Sequence, residues 1–155
     1  MKFLVFSDSH TYTNGMDFAI EKHKDIQHII HCGDVEEDVE YLEYVYGRTH
    51  AICAVCGNND FSRNTPYSRI IPIEGHRIFV SHGHREHVKQ TLYTISRAAE
   101  SEKCDICVFG HTHTQLLQEN SGLTLLNPGS IGYFRAEYAI LEVKKDSVIV
   151  TLEKI

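Results

Sequence analysis

The sequence predicts an α/β fold in which two β-sheets pack face to face with helices on the outside, and three observations carry that expectation. Over the first third of the chain, short apolar runs alternate with amphipathic stretches in the order β-α-β-α-β, and such short connections imply a parallel sheet with helices packed on it. A central segment, SRIIPIEGHRIFVSHGH, reads as two strands joined at Glu74-Gly75. Further on, TQLLQENSGLTLLNPGS and YAILEVKKDSVIVTLEKI read as short strands broken by N-S-G and K-K-D-S turns, so the second half is expected to be richer in β-structure and more antiparallel. Residues 1–155 are expected to form a single domain, long enough to bury a core without disulfide staples.

FLVF, Phe3 to Phe6, is a continuous apolar run of strand length, and SDSHTYTNG after it has turn chemistry. Met16, Ala19, Ile20 and His23 recur at helical spacing, giving a first helix that ends near Lys24 and Asp25. QHIIHCGD is a second strand ending in Gly33-Asp34. Val35, Val39, Leu42 and Tyr46 mark one face of a second helix whose early acids suit the positive end of its dipole. THAICAVCGNND is the third strand with its exit loop. Beyond the hairpin, Val88, Leu92, Ile95 and Ala99 mark a third helix, and DICVFGHTH is the next strand and loop. No period of solenoid length repeats along the chain.

A hydrophobic fraction of 42%, 23% charged residues and three prolines describe a soluble globular chain. The formal charge of −6 offers no basic field, so neither stable nucleic-acid binding nor membrane association is expected. The apolar run in MKFLVFSDSH is too short for a secretory segment or a membrane span, and a cytoplasmic location is expected.

Two C-x-x-C pairs, Cys53 to Cys56 and Cys104 to Cys107, resemble half-sites of a zinc ribbon. Both pairs lie in apolar, β-branched runs that read as strands, where side chains three apart point to opposite faces. Small core cysteines are the better reading, and the odd total of five suits a reducing compartment.

The informative polar residues stand at strand ends, where ligands bind in open α/β sheets. The first strand delivers Asp8 and His10, the second Asp34, the third Asn58, the fifth His82, and the sixth His111 and His113. Seven oxygen or imidazole donors exceed what one divalent ion needs and suit two ions sharing a carboxylate, for which Asp8 and Asp34 are the candidates. The i, i+2 spacing of D-S-H and H-T-H sends both side chains to one side of an extended backbone. Gly33, Gly57 and Gly110 permit sharp exits just before Asp34, Asn58 and His111. A donor set of nitrogen and oxygen without thiolate suits Mn2+, Fe2+, Ni2+ or Zn2+.

Each piece has a plainer reading. Asp34 could cap the second helix, Asp8 and Ser9 could form a turn, and His84 and His87 could be solvated, His87 on its helix. His23, His28, His31, His50 and His76 read as surface or core filling. Joint placement at five strand ends is what favours a metal site.

Taken in order, D-S-H, G-D, G-N-x-D, H-G-H and G-H-T-H, followed by N-P-G-S at Asn127 to Ser130, resemble the calcineurin-like metallophosphoesterase superfamily, and the length resembles its small single-domain phosphodiesterase branch. The resemblance runs from Asp8 to Ser130. It implies a four-layer α-β-β-α sandwich of two mixed sheets flanked by helices, with a two-metal site at one edge. By motif position Asp8, His10 and His113 would hold one ion, Asn58, His82 and His111 the other, and Asp34 would bridge. The implied cofactors are two divalent ions, Mn2+ ahead of Ni2+, Fe2+ or Zn2+. The implied activity is hydrolysis of a small phosphate-ester substrate, favouring diesters, by a metal-bridging hydroxide. Asn58 would also reach a phosphoryl oxygen, and Asp60 would orient its neighbours.

The chain departs from the family pattern at Asn59, where many members carry a histidine taken to protonate the leaving group and smaller members often carry a cysteine. An amide cannot do so. His84 or water is then left as the proton source, and good leaving groups such as aryl esters are expected to be preferred. The alternative function is a non-catalytic scaffold: the vacuolar sorting protein 29 group shares this fold and looks like a protein-binding case. Tyr41, Tyr44, Tyr46, Phe61 and Tyr67 could supply a partner patch, or equally core or a homo-oligomer contact.

Overall fold

The computed structural model describes residues 1–61 and 65–155. In chain order the elements are β1 (Lys2–Phe6), α1 (Thr13–Lys22), β2 (His28–His31), α2 (Glu36–Tyr46), β3 (Ala51–Ala54), β4 (Ser68–Ile73), β5 (His76–Ser81), α3 (Tyr93–Ser101), β6 (Ile106–Val108), β7 (Gln115–Asn120), β8 (Leu123–Pro128), β9 (Glu137–Lys144) and β10 (Ser147–Lys154).

The strands form two five-stranded mixed sheets, ordered β10-β9-β1-β2-β3 and β4-β5-β6-β8-β7. In the first, β1, β2 and β3 run parallel, with Val5 beside Ile30 and Ile30 beside Cys53, while β9 pairs antiparallel with β1. In the second, β5, β6 and β8 are parallel and the flanking β4 and β7 antiparallel. The second half is more antiparallel than the first, with β4-β5, β7-β8 and β9-β10 all antiparallel, while β6 pairs parallel with both β5 and β8. β7 goes to the edge and β8 turns back inside it, so the C-terminal ends of β5, β6 and β8 share one rim.

Alternation along β1 builds the layers. Phe3 and Val5 face the other sheet, meeting Ile78, Val80, Ile106, Val108 and Leu126. Leu4 and Phe6 face outward onto Met16, Ala19 and Ile20 of α1 and Leu42 of α2. On the far side, Phe79, Cys107 and Leu125 pack against Ile95 and Ala99 of α3. The result is the α-β-β-α order that the resemblance implied. Each fully buried aliphatic or aromatic side chain contributes about 1.5–3 kcal/mol.

Some boundaries differ from expectation. α1 ends at Lys22, with His23 already turning. α3 starts at Tyr93, not near Val88, because the N–H groups of Gln90 and Thr91 both bond back to His87 O, with His87 itself in the left-handed region at φ 56°. His87 is therefore an exposed turn residue, not a helical one, although Val88 still reaches the core. All five cysteines are free and four are buried, and none belongs to a metal-competent cluster among the described residues. Cys56 and Cys104 lie just outside strands, so the strand argument against a ribbon applies to Cys53 and Cys107 alone.

Candidate metal centre

The C-terminal ends of β1, β2, β3, β5 and β6 converge, and backbone bonds across their exit loops lock the convergence. Asp8 N–H donates to Gly33 O at 3.0 Å, Ser9 N–H to Asp34 O at 3.0 Å, and Gly110 N–H to His82 O at 3.2 Å. Asp8, Asp34 and His82 are buried there, while His10 is exposed and His113 only partly covered.

The histidine pairs do not sit on extended backbone. Asp8, His10, His111 and His113 all adopt left-handed φ, between 48° and 66°, so tight turns deliver both members of each pair to one side. Such conformations are unusual outside glycine and cluster at functional sites. Of the three glycines before donors, Gly33 alone uses a positive φ, at 94°. Gly57 and Gly110 serve close approach instead: a Cβ would collide with Asp34 Oδ1 in one case and Ser7 Oγ in the other.

Two groups of side chains meet at Asp8. His10 Nε2 lies 3.3 Å from His113 Nε2, which lies 3.0 Å from Asp8 Oδ1. On the other side His82 Nε2 is 3.1 Å from Asn58 Oδ1, 3.2 Å from His111 Nδ1, 3.7 Å from Asp34 Oδ2 and 4.0 Å from Asp8 Oδ1. Asp8 thus belongs to both metal-competent clusters, with His10 and His113 in one and with Asp34 and His82 in the other.

One buried carboxylate oxygen at this junction is left without a hydrogen bond. His82 Nδ1 is 2.7 Å from Cys32 O, a carbonyl that can only accept, so Nδ1 carries a proton and Nε2 is the nitrogen that faces the site. Around Nε2 stand the carboxylate oxygens of Asp34 and Asp8, the Asn58 carboxamide and the His111 ring. Asp8 Oδ1 is buried and without a hydrogen-bond partner; His113 Nε2 is near enough to attract it but off the line of donation. Two buried carboxylates beside His82, one with an oxygen that has no hydrogen-bond partner, favour a cation at this point. The donors present, carboxylate, imidazole and amide oxygen, fit a hard or borderline divalent ion.

The field in the site is divided. Burial favours the neutral form of Asp8, but His113, His82 and Ser7 outweigh it and hold its pKa below the ordinary carboxylate value. His113 is raised, chiefly by Asp8. Two residues away His111 is lowered to about 4, first by burial and then by the nearby His82. His84 is also lowered by burial, and its buried Nδ1 lacks a partner. Its ring centroid stands 5.3 Å from that of His82 and 6.1 Å from that of His111, at the margin of the cluster.

Asp34 caps no helix, since α2 begins without a side-chain cap. Its carboxylate is held by Asn59, through the backbone N–H to Oδ1 and the side-chain amide to Oδ2. Asp60 steadies the same turn, accepting from Asp34 N–H at 3.1 Å and Gly57 N–H at 2.5 Å.

Several supporting residues carry no signal in the sequence by themselves. His31 is fully buried behind the site and links two loops: Gly33 N–H donates to Nδ1, so Nε2–H donates to Ser9 Oγ, and the Ser9 hydroxyl donates to Asp38 Oδ2 at 2.7 Å. Burial lowers the His31 pKa and keeps the ring neutral for that role. Asp38, an acid that suits a helix dipole, is instead buried and also accepts from Thr11 N–H. Ser7 and the His111 N–H both donate to Asp8 Oδ2, at 2.6 and 2.9 Å. The N-P-G-S segment ties down the rim: Asn127 Nδ2 donates to Gly110 O, and Ser130 Oγ donates to Asp8 O at 2.7 Å.

The aromatic residues considered for a partner patch do not form one surface. Tyr41 and Tyr46 both donate to the Asp17 carboxylate, and Tyr46 packs on the core. Tyr67 lies under the Arg85 guanidinium, 4.2 Å from the ring centroid. Tyr44 and Phe61 are exposed.

Comparison with known proteins shows the family. The calcineurin-like phosphoesterase superfamily domain matches residues 1–146. The Bacillus subtilis protein named Probable metallophosphoesterase YsnB is 32% identical over 155 residues, covering 97% of this chain and 89% of that one. A phosphodiesterase of Methanocaldococcus jannaschii is 28% identical over 145 residues, covering 83% of each chain. The zinc complex of vacuolar protein sorting 29 from Entamoeba histolytica superposes with a TM-score of 0.79 at 21% identity, covering 100% of this chain and 98% of that one, a likeness of fold alone. With family motifs at six strand ends and a match over nearly its whole length, this chain belongs to the calcineurin-like phosphoesterase superfamily.

Proposed function

We propose that the protein is a metal-dependent phosphodiesterase with a two-ion site, held by Asp8, His10 and His113 on one side, by Asn58, His82 and His111 on the other, and by Asp34 between. The observation that carries this reading is the meeting of the buried Asp8, Asp34 and His82, with Asp8 shared by both metal-competent clusters and its Oδ1 without a hydrogen-bond partner. These residues would hold divalent ions, Mn2+ first, which when bound would supply Lewis-acid activation of water and charge neutralisation for a phosphoryl group.

The chain's own residues do the positioning. Cys32 O fixes the His82 tautomer so that Nε2 points inward, and Asn59 fixes the rotation of the Asp34 carboxylate. Asn58 turns its amide into the site, within reach of a phosphoryl oxygen. Asn59 cannot release a proton, so departure of the alcohol depends on His84, on solvent, or on a leaving group stable as an anion. Aryl diesters are the favoured substrates on that account.

The test is hydrolysis of bis(p-nitrophenyl) phosphate and p-nitrophenyl phosphate by protein stripped with chelator and returned to Mn2+, beside an Asp34→Ala variant. Diester turnover that requires Mn2+ and disappears without Asp34 supports the proposal. Failure with every divalent ion tried moves the reading to a non-catalytic scaffold.

A further inference from the structure

A cavity of about 370 Å3 opens beside the metal centre, lined by His10 and His113 on one side and by Ser130, Gly132, Tyr133, Phe134 and Arg135 on the other. Tyr133 and Phe134 are 71% and 96% exposed, and their rings meet edge to face with centroids 5.4 Å apart. Tyr12 supports Tyr133 from behind in another edge contact, at 5.3 Å. Among the described residues, no carboxylate forms an ion pair with Arg135.

Scattered exposed aromatics need no explanation, but these stand on a loop built into the site. Ile131 N–H donates to Ser7 O, Ser130 Oγ donates to Asp8 O, and the N–H groups of Arg135 and Ala136 both return to Gly132 O. Gly132 lies so close to the chain after β1 that a Cβ would come 3.1 Å from Asp8 O. The loop backbone is therefore fixed to the same backbone that carries Asp8, and Tyr133 and Phe134 line one cavity with His10 and His113. A flat ring attached to a phosphate finds there a stacking surface, and the Arg135 guanidinium in the same lining supplies positive charge for the phosphate.

We propose that this cavity is the subsite for an aromatic ester group of the substrate, a nucleobase or an aryl ring, which stacks on Tyr133 and Phe134 while its phosphate lies at the metal centre beside Arg135. The proposal rests on the phosphodiesterase reading for its phosphate position. Its own content is the chemistry of the second ester group, which the metal ligands do not select.

Three esters with the same p-nitrophenyl leaving group isolate that content: the thymidine 5′-phosphate, phenyl phosphate and methyl phosphate esters, compared with Mn2+-loaded protein. The expected result is a kcat/KM for the thymidine or phenyl ester about tenfold or more above the methyl ester, the scale of one base stacked on an aromatic side chain. In Phe134→Ala and in Tyr133→Ala/Phe134→Ala that ratio should fall to within about twofold. Phe134 is almost fully exposed, so the single variant keeps the fold intact. Thymidine above phenyl identifies a nucleoside ester, and equality of the two identifies aryl groups in general.

Binding gives a readout independent of turnover. Thymidine 5′-phosphate should bind the Mn2+-loaded protein more tightly than ribose 5-phosphate in calorimetry, and Phe134→Ala should erase the difference. If no ester turns over but this difference exists and vanishes in the variant, the subsite stands and the phosphodiesterase reading falls. Equal kcat/KM for all three esters with equal binding of the two phosphates, or a preference that survives in the double variant, overturns the subsite.

Discussion

Asn59 grips both oxygens of Asp34, its backbone N–H donating to Oδ1 at 2.9 Å and its side-chain amide to Oδ2 at 2.8 Å. Asn59 is here used to hold a carboxylate, at a position where the family resemblance leads one to expect a group that can donate a proton. That exchange has consequences for metal binding and for chemistry, and the two can be measured separately.

Asn59→Ala keeps the backbone bond and removes the amide bond. Loss of such a partner to a ligand weakens metal affinity by about 10–100-fold. Calorimetric titration of stripped protein with Mn2+ should show that loss, and an unchanged affinity would mean that Asp34 needs no help from Asn59 to bind.

Metal should also stabilise the fold, because it satisfies acceptors that the apo chain buries unpaired. At a hundredfold excess over its dissociation constant, a ligand specific for the native state adds about 2.7 kcal/mol. For a chain of this size that amounts to a rise in Tm of about 5 °C or more. Asp8→Asn, which removes the carboxylate shared by both clusters, should abolish most of the rise in a thermal melt with Mn2+.

Leaving-group dependence tests the missing acid. Across a series of phosphodiesters the rate should fall steadily as the pKa of the departing alcohol rises, since Asn59 lends no proton. Asn59→His should flatten that slope. His84→Ala should matter only for poor leaving groups, and equal rates for wild type and variant on an alkyl ester would remove His84 from the mechanism.

Far from the site, His76 Nδ1 meets Asp105 Oδ2 at 2.5 Å at the start of β5. The His76 pKa is raised, chiefly by that bond. Burial works to raise the Asp105 pKa, but the Arg77 N–H and His76 outweigh it, so the net shift is downward. A raised histidine stabilises the fold below its unfolded pKa and loses that effect as pH rises through its folded value. A lowered carboxylate stabilises above its unfolded pKa and loses the effect as pH falls through its folded value. The pair therefore contributes most between about pH 4 and 6.5. Asp105→Asn should reduce urea stability in that window more than at pH 9, and equal losses at both would show that the pair acts through packing alone.

The sequence by itself determined the strands, because alternation and apolar runs are local properties: FLVF, HIIH and the hairpin around Glu74-Gly75 lie where their patterns put them. It also determined the order of the donor residues, since each closes a strand, and strand ends are legible. Tertiary structure decided what local pattern cannot encode. The insertion of β8 between β6 and β7 brings N-P-G-S to the site, a matter of sheet order and not of propensity. His31 and Asp38 read as filler and as a helix-end acid until packing buried both and forced their polar atoms to find each other through Ser9. The turns at Asp8, His10, His111 and His113 depart from the extended backbone that i, i+2 spacing suggests. Bonds across the site hold them there: the Asp8 carboxylate accepts from the His111 N–H, and Asp8 N–H donates to Gly33 O. Such bonds form only between segments distant in the chain, so no single stretch of sequence contains both halves of the reason.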